Sequence, residues 1–273
     1  MNVILVTIIS ISLGSSLRSS NKAATSFSID ITRVYGRPEI NTQTHFTENQ
    51  LKEYKPQNDE EKGVYSTRES NNSKALTTFS LQASIEVGEP PQIIFVVFDT
   101  GSTNLLISNS QCESHTDDCP IKFGNFFPEN SKNHKDTKIS GEITFLCGFL
   151  KAKVGRDTVR INGLKLDNQD IGEVYFQDGN CILKKGMVGG ILGLSPPEMK
   201  LEHTTTFLEN LVKSKQLTNN IMSFYFPPLG TDQKGELTFG EIDNHLVKGP
   251  IKYYDSIYPE YWSVNMTQIM VAF

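Results

Sequence analysis

Asp99 stands between the apolar run Phe95-Val-Val-Phe98 and the small residues Thr100, Gly101 and Ser102. That order describes a buried strand ending in a tight turn that presents one carboxylate. An acid at the edge of a core is costly unless it is hydrogen-bonded. The hydroxyls and N–H groups of Thr100, Gly101 and Ser102 can supply those bonds and favour the ionised form. A carboxylate held this way is suited to general acid–base work. The tripeptide alone also fits an ordinary turn aspartate that caps a strand.

The elements around it are mostly short β-type runs broken by Gly and Asn. Examples are Phe79 to Val87, Ile93 to Phe98, Ile143 to Leu146, Val159 to Ile161 and Ile171 to Phe176. This spacing predicts an all-β domain from about Lys74 onward. One helix is expected over Thr206 to Leu217, with Phe207, Leu208, Leu211 and Val212 on its apolar side. A hydrophobic share of 37% over 273 residues suffices for a core and one or two domains.

Composition excludes several classes. Net charge is −5 with no basic run, which argues against nucleic-acid binding. No stretch of eighteen apolar residues is present, so no membrane span is expected. Paired Cys-x-x-Cys or His spacing is missing, so no metal site or cofactor is expected. A single Trp and no repeated aromatic motif disfavour a carbohydrate or lipid binder.

The N-terminus divides differently. Val3 to Leu13 is apolar and is followed by Gly14-Ser-Ser16, which reads as a signal peptide over residues 1–16 and implies the secretory pathway. A buried N-terminal strand is the other reading. Residues 17–73 are polar and read as a pro-segment or flexible arm. They carry eight Lys/Arg and eight Asp/Glu, so they are not basic. Asn71-Asn-Ser73 and Asn265-Met-Thr267 are sequons compatible with secretion.

From Val87-Gly-Glu-Pro-Pro-Gln92 through Asp99-Thr-Gly-Ser-Thr-Asn-Leu-Leu-Ile107, the chain resembles the first active-site segment of pepsin-like (family A1) aspartic proteases. Gly189-Gly-Ile-Leu-Gly193-Leu194 resembles the family's hydrophobic-hydrophobic-Gly element. The stretch Leu237-Thr-Phe-Gly-Glu-Ile-Asp243 with Tyr261-Trp262 looks like its connection into a second lobe. The resemblance implies the bilobal pepsin-like fold, with an N-terminal lobe over 74–225 and an incomplete C-terminal lobe over 226–273.

It further implies an aspartic endopeptidase acting on peptides or proteins, monomeric at full length, in an extracellular or acidic vacuolar or lysosomal setting. Asp99 would be its first catalytic acid, supported by Thr100, Gly101 and Ser102. Cys112 and Cys119 match the family's short disulfide loop at this position; a bridge between Cys147 and Cys181, or free thiols there, both remain open. Aligning Ile143-Thr-Phe145 with the family's flap places Phe145 where a Tyr usually stands, whereas aligning on Gly148-Phe-Leu150 places Gly141 there. Neither keeps a hydroxyl. No second Asp-Thr-Gly or Asp-Ser-Gly follows Asp99, and only eleven residues follow Trp262. The chain is therefore expected to be a fragment, inactive alone. The alternative is a pepsin-fold protein that binds peptides or proteins without cleaving them.

Overall fold

The computed structural model describes residues 6–10, 26–36, 67–70, 73–76, 78–114, 124–145, 148–179, 183, 188–226, 235–247 and 249–266. Among these residues thirteen strands carry the architecture: β1 (Val6–Ser10), β2 (Phe27–Gly36), β3 (Thr67–Ser70), β4 (Ser73–Leu76), β5 (Thr78–Val87), β6 (Gln92–Asp99), β7 (Leu105–Ser114), β8 (Lys135–Phe145), β9 (Gly148–Ile161), β10 (Leu164–Gly179), β11 (Gly190–Gly193), β12 (Ile221–Tyr225) and β13 (Gly235–Phe239). Eleven join one sheet in the order β1-β12-β13-β2-β5-β6-β11-β7-β10-β9-β8, with an extra pairing of β5 to β9. Strands β3 and β4 form a separate hairpin. The chain is all-β, as its spacing of apolar runs predicts. Among the described residues no helix is long and apolar enough to cross a membrane.

The middle of the sheet is buried on both faces, which explains its nearly continuous apolar runs. Along β6, Ile94, Val96 and Phe98 join one core cluster, whereas Val97 joins another. Along β7, Leu105 and Ile107 take the first cluster and Leu106 the second. Strand β11 divides the same way, with Leu192 on one side and Ile191 on the other. Each such Leu, Ile or Phe contributes about 1.5–3 kcal/mol on full burial. Strand β8 instead alternates exposed and partly covered residues, the mark of a strand with one wet face.

The first cluster is roofed by helix α1 (Phe207–Ser214), which buries Phe207, Leu208 and Leu211. Thr206 caps it: its hydroxyl accepts from the Glu209 amide at 3.1 Å, and Glu209 Oε2 accepts from the Thr206 amide at 2.8 Å. The helix stops at Ser214 because Lys215 takes a left-handed conformation, φ 55°.

Two findings concern the N-terminal quarter. Within the polar stretch 17–73, strand β2 pairs with β5 on one side and β13 on the other. Ile29 of β2 is buried in the first core cluster. Strand β1, inside the stretch read as a signal peptide, pairs antiparallel with β12.

Candidate active site

Strand β6 ends at Asp99, and the parallel neighbour of that residue is Gly193, the last residue of β11. The loop that follows is fastened to β11 and its continuation by main-chain bonds. The Leu194 amide donates to the Asp99 carbonyl at 2.8 Å, Ser195 N–H to the Ser102 carbonyl at 2.9 Å, and Gly193 N–H to the Asn104 carbonyl at 3.0 Å. The Thr103 and Ser195 hydroxyls meet at 2.8 Å, both buried. Residues 193–195 thus form a splint along 99–104.

Gly193 is what lets the two backbones touch. A Cβ there would lie 2.4 Å from the Thr103 carbonyl carbon and 2.8 Å from the Asn104 nitrogen, atoms that cannot move aside. This is the close-packed role expected of a glycine within a strand.

The carboxylate itself is half-buried and accepts from the Gly101 amide at 2.9 Å through Oδ1. Thr100 and Gly101 are exposed. Ser102 is buried, and its hydroxyl has no partner among the described residues. Of the three residues expected to support Asp99, Gly101 donates to the carboxylate, and Ser102 serves through its carbonyl on the splint.

Residues two apart on a strand share a face, so Asp99 lies on the side of Val97. Ile143 and Phe145, at the end of the β8–β9 hairpin, pack against the cluster that contains Val97. Hairpin end and carboxylate therefore lie on one side of the sheet. Phe145 pairs with Gly148 at that end, whereas Gly141 pairs with Ala152 in mid-strand and faces Leu201. Phe145 is partly buried and presents no hydroxyl.

Cys112, on β7, is disulfide-bonded. Cys119, Cys147 and Cys181 lie outside the described residues. Among the described residues no three His, Cys, Asp or Glu side chains gather where they could hold a metal ion.

Two arrangements had no counterpart in the sequence reading. Trp262 donates its indole N–H to the Leu194 carbonyl at 2.7 Å. The only signal available beforehand was the Tyr-Trp pair itself, which says nothing of a partner 68 residues away. The second arrangement joins His134, before β8, to Glu173 of β10 at 2.6 Å, with Asn109 of β7 donating to the other carboxyl oxygen at 3.2 Å. Burial pushes the Glu173 carboxyl above its ordinary value, aided by the nearby Asp136 charge, and outweighs the opposing pull of His134 and Asn109.

Comparison with known proteins supplies the context. Residues 80–272 match the family model described as eukaryotic aspartyl protease. The chain is 30% identical to pregnancy-associated glycoprotein 2 of Sus scrofa, covering 73% of this chain and 49% of that protein. It is 31% identical to cathepsin D of Gallus gallus, covering 69% and 47%. It is 29% identical to pepsin B of Canis lupus familiaris, again covering 69% and 47%. The chain spans about half the length of the curated relatives it matches.

Proposed function

This chain belongs to the eukaryotic aspartyl protease family, and on that premise we propose that Asp99 supplies one carboxylate of a water-activating pair in an aspartic endopeptidase. The observation that carries the reading is the splinted loop: a half-buried carboxylate, hydrogen-bonded by Gly101 and fixed from behind by residues 193–195. Two facing carboxylates share a proton because both cannot ionise side by side. The ionised one takes a proton from a water between them. The protonated one donates to the scissile carbonyl oxygen. An extended peptide would lie under the β8–β9 hairpin, bound by strand-like hydrogen bonds.

The partner carboxylate is not among residues 100–273 as a second Asp-Thr-Gly or Asp-Ser-Gly. The 273-residue chain alone is accordingly expected to leave peptides uncut. A longer product carrying such a motif should cleave peptides at acid pH, and Asp99→Ala should bring this to background. Cleavage that survives Asp99→Ala would overturn the assignment. The absence of a hydroxyl at Phe145 favours one alternative, a pepsin-fold protein that binds peptides without cutting them. In that case the longer product would bind and not hydrolyse.

The same reading places the protein in the secretory pathway, acting on peptides or proteins as a monomer at full length, in an extracellular or acidic compartment. Residues 1–16 would then be removed as a signal peptide, taking β1 away from the edge of β12. Residues 17–73 would follow as a pro-segment that includes β2. Sequencing the N-terminus of the secreted product checks both cuts. Cys119 is the proposed partner of Cys112.

A further inference from the structure

Residues 251–266 are largely exposed and carry one side chain that reaches into the body of the molecule. Trp262 is the sole tryptophan of the chain. Its ring packs against the first core cluster, and its indole N–H donates to the Leu194 carbonyl at 2.7 Å. That carbonyl shares a peptide plane with the Ser195 N–H, which donates to the Ser102 carbonyl at 2.9 Å. In a trans peptide the C=O and N–H point in opposite directions. The Leu194–Ser195 plane is therefore held from both edges, by the indole on one side and by the active-site loop on the other. The preceding amide, Leu194 N–H, holds the Asp99 carbonyl at 2.8 Å.

From this we infer that Trp262 is a positioning residue for Asp99. It acts through the Leu194–Ser195 peptide, and it links the segment past β13 to the backbone that aims the carboxylate. A bond accepted at a carbonyl polarises its own amide and strengthens the bond that amide donates. Removing the indole donor frees the plane to rotate, loosens the grip on Ser102 and widens the range of positions open to Gly101 and Asp99. A ring that served for packing alone would have no such directional effect. The inference rests on the role proposed for Asp99, but its test does not use peptide cleavage, so each can fail without the other.

The test uses the 273-residue chain with Trp262→Phe, and a second variant with benzothienylalanine at 262, which keeps the bicyclic shape and lacks the N–H. Amide hydrogen exchange is followed residue by residue, and the chemical shift of the Asp99 carboxyl carbon is compared by NMR at a single pH. The expected result is exchange at Ser195 and Leu194 faster by about tenfold, the scale of one lost hydrogen bond, with a displaced Asp99 carboxyl carbon signal and unchanged protection in β9 and β10. The benzothienylalanine variant should show this with a melting midpoint lowered by no more than one lost hydrogen bond accounts for. Unchanged exchange at Ser195 in that variant would overturn the inference. So would a uniform rise across all strands with an unmoved Asp99 carboxyl carbon signal, since that would reveal packing alone. Trp262→Phe failing to fold would leave the isosteric variant to decide.

Discussion

At the scale of single residues, the strand end at Asp99 was legible because its signal is contiguous: an apolar strand, the acid, then small residues. Its supports were not. Thr103 and Ser195 are 92 residues apart and Trp262 and Leu194 are 68 apart, and one sequence holds no record of who meets whom. The splint makes Gly193 the most sensitive position near the acid. Gly193→Ala should destabilise by about 1–3 kcal/mol, the usual cost of forcing atoms into a filled site, and denaturant titration checks it. A wild-type midpoint would show that the backbones can part without loss. Glu173 makes a second test. Unfolded, its carboxyl titrates near 4.5; folded, it keeps its proton to higher pH. Around and above 4.5 the folded chain thus binds more protons than the unfolded one, so this contribution to stability is fully present below that pH and is lost as pH rises through the folded group's titration. The groups facing it are His134, Asn109 and Asp136. Glu173→Gln should flatten the decline of melting midpoint above pH 4.5. Equal slopes for the two proteins would remove Glu173 as its source.

Elements were read better than contacts. The runs from Phe79, Ile93, Val159 and Ile171 all fall in strands, because a pleated surface with a buried face leaves an alternating or continuous apolar pattern. Strand β2 was missed: Asp30 and Arg33 break up Phe27, Ile29 and Ile31, and the surrounding polar composition swamped a short alternation. What makes β2 a strand is tertiary, since it bridges β13 and β5. The helix was expected to run to Leu217 and stops at Ser214, its end set by Lys215 in a conformation that no Gly had signalled. Its beginning rests on a local device. Thr206→Ala removes the hydroxyl that accepts from Glu209, and should cost about 1 kcal/mol, read as a lower urea midpoint with unchanged slope. Thr206→Ser, which keeps that acceptor, should recover most of it. If serine does no better than alanine, the cap is not what the threonine contributes.

At the scale of the whole molecule, the described residues differ in how their backbone is held. Strands β5 to β7 and β10 to β12 lie within the sheet, and their apolar residues fill two cores. Beyond β13, residues 251–266 have no strand ladder; their backbone has an isolated bridge between Tyr258 and Tyr261 and local bonds around Ser256, and Trp262 is the side chain that ties them to the core. The resemblance implies that this segment leads into a second lobe, and composition could not tell that Tyr253, Tyr254, Tyr258 and Tyr261 would stand exposed. Cleavage by a protease requires local opening, whose cost runs from near zero in unladdered segments to the full unfolding free energy in core strands. Brief treatment with chymotrypsin, which cuts after aromatic residues, should therefore act at these tyrosines well before any site in β5 to β7 or β10 to β12. The Trp262-containing peptide should be released first, as mass spectrometry of a time course would reveal. Adding urea below the unfolding transition should leave the tyrosine cuts almost unchanged in rate and accelerate the core cuts steeply, because only the latter wait on exposure of buried surface. Early cutting inside the sheet, or a tyrosine cut that depends on urea as steeply as the core cuts do, would mean that the segment past β13 is as firmly held as the strands that carry Asp99.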